Sequence, residues 1–432
     1  MKYAVLIIDG ASGWPVPALG GRTSLEAART PNLDRVAREG TVGLAYTVPE
    51  GMEASSAVAC MSVLGFDPAR YYTGRGPIEA MAMGIDLERG QVAMRCNLVN
   101  VSSGIMTSYS AGNISSGEAA ELVAALQAEL GDERVEFHAG VGFRHIVTVR
   151  DGADLMAATF TAPHDITDRE VAGRGPVGPG AGFAQSLMER SRGVLAGHPV
   201  NRARVAQGKL PATQIWLFWP GMRPGEMPTF AEAYGGRRAA MTSAVDLLRG
   251  LALQAEMDPL ALPGVTDGGD NNFAGQMAGA LRSLHDHDVV FVHVEAPDEA
   301  AHAGDVKGKV QAIEQVDALM VPQVTGMRTG GRGVDGRADP LTSGAPRDVS
   351  AGEALRDVSL LVLCDHPTPL EIKTHVAEPV PFAMWGPGFA ANGAEAFSEA
   401  EARATGLAVA PGHLLMGRLL GGHCAGDSKR PR

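Results

Sequence analysis

The sequence predicts an α/β protein organised around a doubly wound sheet, and three short segments carry that prediction. Residues 3–8, 288–294 and 358–364 are β-rich apolar runs, and each runs straight into acids: Asp9, then Glu295 and Asp298, then Asp365. Unbroken apolar runs mark strands buried on both faces of a parallel sheet. Between them lie stretches with apolar residues at three and four spacing, over 117–130, 240–252 and 272–284, which read as helices. Strands alternating with helices give a sheet covered on both sides. In such sheets ligands bind beyond the carboxyl ends of the strands, so Asp9, Asp298 and Asp365 are expected to converge there.

A chain of 432 residues suggests two or three units at about 150 residues each. The stretch 78–212, with RCNLVNV, HAGVGFRHIVTV and several Gly, Pro and His turns, reads as an inserted smaller α/β domain. The core is then discontinuous, built from 1–77 and 213–432. Residues 326–352 are rich in Gly, Arg and Asp without apolar periodicity, as is the tail after Gly421, and both read as flexible.

Composition narrows the function. With 45% hydrophobic and 20% charged residues the chain is neither disordered nor fibrous. A formal charge of −12 argues against nucleic acid or an anionic membrane as partner, so an anionic substrate needs local cations. Cys60, Cys96, Cys364 and Cys424 form no CxxC pair, which speaks against a disulfide framework or a cysteine zinc cluster and fits a reducing cytoplasm. The apolar start is only about six residues long before Asp9, too short for a signal or spanning segment.

Histidines accompany the strand-end acids. His302 follows Asp298 by four residues, which places both on one face if that stretch is helical. His366 adjoins Asp365, and His375 lies in a Pro-rich segment able to bend back. Mixed carboxylate and imidazole ligands suit manganese or zinc better than calcium. Ser55 and Ser56 precede the apolar run AVACMSV, so one of them begins a helix. There a hydroxyl is either a simple cap or a nucleophile favoured by the positive end of the helix dipole and by nearby metal.

Taken together, IIDG, AARTPNLDRVAREG, LGFDPARYYTGRGPIEA, RCNLVNV, YSAGNIS, APHDI, HPVNRARVAQGKLPATQIW, HVEAPDEAAHAGD and DHPTP with THVAEPVPFAMWGPG resemble the cofactor-independent phosphoglycerate mutases of the archaeal type. These belong to the alkaline phosphatase superfamily. The resemblance spans nearly the whole chain. It implies an alkaline-phosphatase-like sheet and two divalent metal ions, Mn2+ or Zn2+ first and Co2+ or Mg2+ next. One ion would be held by Asp298, His302 and His375, the other by Asp9, Ser56, Asp365 and His366. Ser56 would take the phosphoryl group from a small phosphorylated acid and return it to the other hydroxyl. The inserted domain would grip the substrate carboxylate and exclude water. Arg95, Arg144, Arg202 and Arg204 are candidate clamps for phosphate or carboxylate, with surface solubility as the alternative. His164 resembles a family position near the substrate, and Gly74-Arg75-Gly76 reads either as a phosphate cradle or as a hinge.

Several positions depart from the family pattern: Ala57 and Cys60 after the serine, Ser108 and Asn113 in SYSAGN, and Arg249 and Gln276 where lysines are expected. Arg249 remains a candidate substrate residue. Cys60 reads as a buried small side chain rather than a reactive thiol. The departures keep open a relative acting on another small phosphorylated or phosphonate acid, including a homoserine-kinase-like enzyme, or a metal-dependent phosphohydrolase.

Overall fold

The computed structural model describes residues 1–88, 90–223, 227–326 and 358–421. The expected flexible segment from residue 327 onward, the tail after Gly421 and Cys424 lie outside the described residues. The chain divides into two compact units, Met1–Tyr72 with Pro228–Arg432, and Thr73–Met227.

Its strands are β1 (Lys2–Ile8), β2 (Thr41–Ala45), β3 (Val92–Ser102), β4 (Ile105–Ser108), β5 (Val135–His138), β6 (Arg144–Val149), β7 (Gln214–Met222), β8 (Ala239–Thr242), β9 (Asp258–Pro259), β10 (Val289–Val294), β11 (Val358–Leu363), β12 (Val380–Trp385) and β13 (Ala408–Val409). The first unit holds an eight-stranded sheet in the order β13-β2-β12-β11-β1-β10-β8-β9. β1 lies at its centre, parallel to β10 on one side and β11 on the other. β12 alone reverses direction, pairing antiparallel with both β11 and β2. The alternation of burial expected for a half-exposed strand is absent from β1, β10 and β11. They are buried almost throughout because helices cover both faces.

Register then places the site. Ile8 lies opposite Val294 and Ile7 opposite Leu363, so all three central strands stop at nearly the same level. Asp9, the helix Ala296–Ala303 and Asp365 follow immediately. Gly10 is required where β1 ends. Its φ is +59°, and a Cβ there would lie 2.2 Å from Asp298 Oδ1 and 2.7 Å from Thr368 Oγ1.

One expected helix is corrected. Residues 240–252 divide into strand β8 and a helix at Asp246–Gln254. A short buried apolar run carries no periodicity by which to tell strand from helix, and lateral pairing of β8 with β10 decides it.

The second unit is an antiparallel sheet rather than a βαβ repeat. β3 pairs with β6, β7 and β4, and β5 extends the β6 edge. Helices Ser116–Leu130 and Ala181–Ala196 contribute Leu122, Leu126, Leu187 and Leu195 to its core. This unit is wider than 78–212 at both ends. The helix Arg75–Ala82 lies against β3, and β7 hydrogen-bonds along it, so neither separates from the sheet. Among the described residues no helix is long and apolar enough to cross a membrane.

Candidate metal centre

The first unit gathers the strand-end acids and histidines into two adjoining groups. In one, Asp298 Oδ2 lies 3.0 Å from His302 Nε2 and 3.5 Å from His375 Nε2. The helix Ala296–Ala303 places Asp298 and His302 on one face, as the spacing of four requires. In the other, His366 Nε2 lies 3.0 Å from Ser56 Oγ, 3.1 Å from Asp365 Oδ2 and 3.6 Å from Asp9 Oδ1. The groups touch, since the rings of His366 and His375 stack with centroids 3.9 Å apart. Asp9, Asp298, Asp365 and His366 are all buried.

The tautomers follow from the outer hydrogen bonds. His302 Nδ1 lies 2.9 Å from the Lys373 carbonyl and His375 Nδ1 3.2 Å from that of Ala54. A carbonyl only accepts, so both Nδ1 atoms carry hydrogen. When the rings are neutral, both Nε2 atoms therefore present lone pairs, 3.0 Å apart and facing a carboxylate. Thr368 acts similarly on His366. Its hydroxyl donates to Asp298 Oδ1 at 2.5 Å, so Oγ1 is left to accept from His366 Nδ1 at 3.3 Å. His366 Nε2 is thereby aimed as an acceptor at Ser56 and between two carboxylates. Acceptors pointed at one another require a positive charge among them. Ligand rings fixed by a carbonyl or hydroxyl on the far nitrogen are the usual outer shell of a metal site.

The electrostatics agree. Burial and the neighbouring Asp365 and Glu295 push Asp9 well above the usual carboxylate range, and its buried Oδ1 has no hydrogen-bond partner. Burial also opposes ionisation of Asp298, but hydrogen bonds from His302 and His375 outweigh it and hold the group well below its ordinary value. Asp365 is likewise lowered, because His366 and His293 outweigh its burial. His302 is raised to about 9, mainly by its bond to Asp298. Without metal, then, a proton supplies the charge. Metal uptake must expel it, so apparent affinity is expected to rise about tenfold per pH unit from neutrality to about 9 and then level off. Calorimetric titration with Mn2+ in buffers of different ionisation enthalpy should show close to one proton released per ion at this group, and a pH-independent affinity would contradict the assignment.

The helix Ser56–Val63 settles which serine faces the cluster. Ser55 is its N-cap residue but makes no side-chain cap bond, whereas Ser56 turns its hydroxyl to His366. Cys60, one turn on, is buried with Sγ 3.5 Å from Asp365 Oδ2. Burial raises its thiol well above the ordinary value, in keeping with an inert side chain. Lys309, fully buried, donates from Nζ to the carbonyls of Ser12 and Thr368 at 3.1 and 2.8 Å. It ties the loop after Asp9 to the loop after His366.

Residues 37–201 match the family described as 2,3-bisphosphoglycerate-independent phosphoglycerate mutase, and residues 352–420 match the Metalloenzyme superfamily. A mutase of that name from Methanothrix thermoacetophila is 45% identical over 98% of this chain and 100% of its own. The chain belongs to the 2,3-bisphosphoglycerate-independent phosphoglycerate mutases. The namesake enzyme from Methanosarcina barkeri is 42% identical, with 97% of this chain and 99% of that one covered. The solved cofactor-independent phosphoglycerate mutase from Thermoplasma acidophilum superposes with a TM-score of 0.64 at 26% identity, covering 98% of this chain and 99% of the other. A mutase of this family is a metalloenzyme, and the buried carboxylate and imidazole groups found here are fit to bind divalent metal.

The expected substrate residues fare unevenly. Within the second unit Arg95 pairs with Glu79 and donates to Asn97 at 3.2 Å. Glu79 also pairs with Arg75, whose guanidinium lies 4.3 Å from the Trp219 ring centroid. His164 sits edge-on to Tyr109, Phe218 and Trp219, and burial lowers its pKa. Arg144 is exposed beside Phe143, and Arg202 is exposed and bonds the carbonyl of Gly197. Arg249 pairs with Asp246 on its own helix. Gln276 is buried and bridges Asn271 to the carbonyl of His293.

Arg204 is corrected from substrate clamp to structural residue. It is buried, and its guanidinium is used on Glu118, the Leu210 carbonyl and the Ala111 carbonyl at 2.8, 2.9 and 2.7 Å. Arg204→Met is therefore expected to destabilise the protein by about 3 kcal/mol, because it strands buried acceptors. The check is urea unfolding, and an unchanged midpoint would contradict this role.

Sequence reasoning missed His293 and Thr368. The strand β10 is buried on both faces, so its parity gave no direction for His293. Thr368 sits in a loop whose course only the fold defines.

Proposed function

We propose that the chain interconverts 3-phosphoglycerate and 2-phosphoglycerate without bisphosphoglycerate, through a phosphoserine at Ser56. The observation that carries the reading is the Ser56 hydroxyl, held at a helix start 3.0 Å from His366 Nε2 within a pocket of acceptors that calls for cations. Asp298, His302 and His375 would hold one divalent ion, and Asp9, Asp365, His366 and Ser56 the other, with Mn2+ or Zn2+ best suited to mixed oxygen and nitrogen ligands. Bound ions would lower the pKa of a hydroxyl and offset the charge on phosphate oxygens.

The chain's own groups account for the rest. Ser56 Oγ attacks phosphorus in line while the bond to the glycerate oxygen breaks. In the balance, the proton lost by the serine is gained by the departing glycerate hydroxyl. The first-turn N–H groups of the helix Ser56–Val63 favour the anionic phosphoserine. The second hydroxyl of glycerate then attacks the same phosphorus, and Ser56 recovers its proton. Small phosphorylated acids are the proposed partners, and Arg95, Arg144 and His164 remain candidates for binding them.

The test is phosphorus NMR of manganese-loaded protein with 3-phosphoglycerate. Appearance of 2-phosphoglycerate with no added bisphosphoglycerate is expected. Accumulation of inorganic phosphate alone, or no change, would refute the reading.

A further inference from the structure

We propose that Arg75, Arg95 and Trp219 form a receptor for the carboxylate of the small acid, with Trp219 as the residue that positions Arg75. The site rests on the reading above that the chain handles such acids. Gly74-Arg75-Gly76, which reads in sequence as either a cradle or a hinge, supplies one arm of it. All of its groups lie within the second unit.

Strand β7 carries the deciding feature. Ala93 pairs with Gly221 and Arg95 with Phe218, so Trp219 and Pro220 together stand opposite Met94 alone. Such a β-bulge bends its strand and re-aims a side chain. Trp219 adopts φ +50° there, a left-handed conformation that a bulky side chain rarely takes and that persists only where packing enforces it. The packing comes from the glycines. A Cβ on Gly74 would lie 2.2 Å from the Pro220 carbonyl oxygen, and one on Gly76 2.8 Å from that of Trp219. Only glycine lets the loop approach the bulge so closely. Arg75, between them, thereby sets its guanidinium carbon 4.3 Å from the indole ring centroid.

Glu79 joins the two arms. One carboxylate oxygen takes Arg75 Nε at 2.7 Å and the other takes Arg95 Nη1, while Arg95 Nε donates to Asn97 at 3.2 Å. Glu79 is buried and both arginines are half-buried. Two guanidiniums on one acid leave a positive charge in surplus, placed where partial removal from water strengthens its attraction for an anion. A planar cation stacked on an aromatic face is held in direction, and its donors match a carboxylate two at a time. His164 also borders the indole, with ring centroids 5.6 Å apart. Burial, aided by the two arginines and opposed by Asp165, holds the pKa of His164 below its ordinary value, so the arginines carry the positive charge.

The test is fluorine-19 NMR of zinc-loaded full-length protein carrying 5-fluorotryptophan, in which Trp219→Phe assigns one resonance among the four tryptophans. D-glycerate, which has the carboxylate without the phosphate, and 3-phosphoglycerate should each move the Trp219 resonance saturably. Trp14 and Trp385 should stay in place, and inorganic phosphate at the same concentration should have no effect. Affinity for D-glycerate, read by saturation transfer to the ligand, should fall about tenfold in Arg75→Lys, which keeps the charge but loses the flat fork. It should fall about tenfold in Trp219→Leu and return to within about threefold of the wild type in Trp219→Phe. Arg75→Lys decides the matter should Trp219→Leu fold poorly. No movement with D-glycerate, movement with phosphate alone, or unchanged affinity in Arg75→Lys or in folded Trp219→Leu would overturn the receptor. Glycerate binding with these dependences but no isomerisation of 3-phosphoglycerate would leave the receptor standing and remove only the mutase reading.

Discussion

Ser56→Ala is expected to lower mutase turnover by about 10⁴-fold or more, the scale seen when a nucleophile that acts as part of a unit is removed. The side chain lost is one hydroxyl at the first turn of a helix whose following residues Ala57–Val63 are buried, so the fold should persist. Substrate binding and most metal affinity should also survive, since the charged ligands remain. A coupled enolase assay measures turnover, and a thermal melt confirms folding. Turnover within tenfold of the wild type would mean that the phosphoryl group never passes through this serine.

Asp298→Asn is expected to produce the second-largest loss. The carboxylate oxygen Oδ2 lies within reach of both His302 Nε2 and His375 Nε2, and its other oxygen already accepts from Thr368. An amide of the same shape keeps the packing but removes the charge that makes the group a strong ligand. Affinity for one ion should fall by more than about 100-fold, beyond what loss of an outer-shell partner costs, and turnover should fall by about 10³-fold. The metal-free variant should melt lower than the wild type, because the carboxylate removed is the partner that holds protonated His302 and lies beside His375. Mn2+ should raise the wild-type melting temperature by mass action and raise the variant's by less. Equal shifts in the two proteins would contradict the ligand role.

These expectations rest on residues that were largely legible before any fold was known. The three apolar runs ending in acids fix Asp9, Asp298 and Asp365 at one edge of the sheet, because parallel neighbours in register end together. The spacing of four between Asp298 and His302 holds because the segment is one helical run. His375 was visible only as a histidine in a bent loop, and its aim comes from the Ala54 carbonyl, which no local pattern encodes.

Other features were hidden for identifiable reasons. Residues 240–252 read as a helix because buried strands and buried helices share composition, and only pairing with β10 separates them. The second unit's antiparallel sheet was masked by Gly- and Pro-rich turns between short strands. Arg204 resembled a clamp in sequence, since an arginine committed to backbone carbonyls looks the same as one awaiting an anion. Gln276, noted as a departure from an expected lysine, lies beneath His293, so the change is one of internal hydrogen bonding.

The central claim is that Ser56 accepts the phosphoryl group inside a cation-dependent pocket. Rapid quenching of manganese-loaded enzyme mixed with 3-phosphoglycerate, followed by peptide mapping, tests it most directly. Phosphate should appear on Ser56, require both metal and substrate, and vanish after chelation. Formation of 2-phosphoglycerate with the phosphoryl group trapped on a histidine, or with Ser56 never modified, would contradict it.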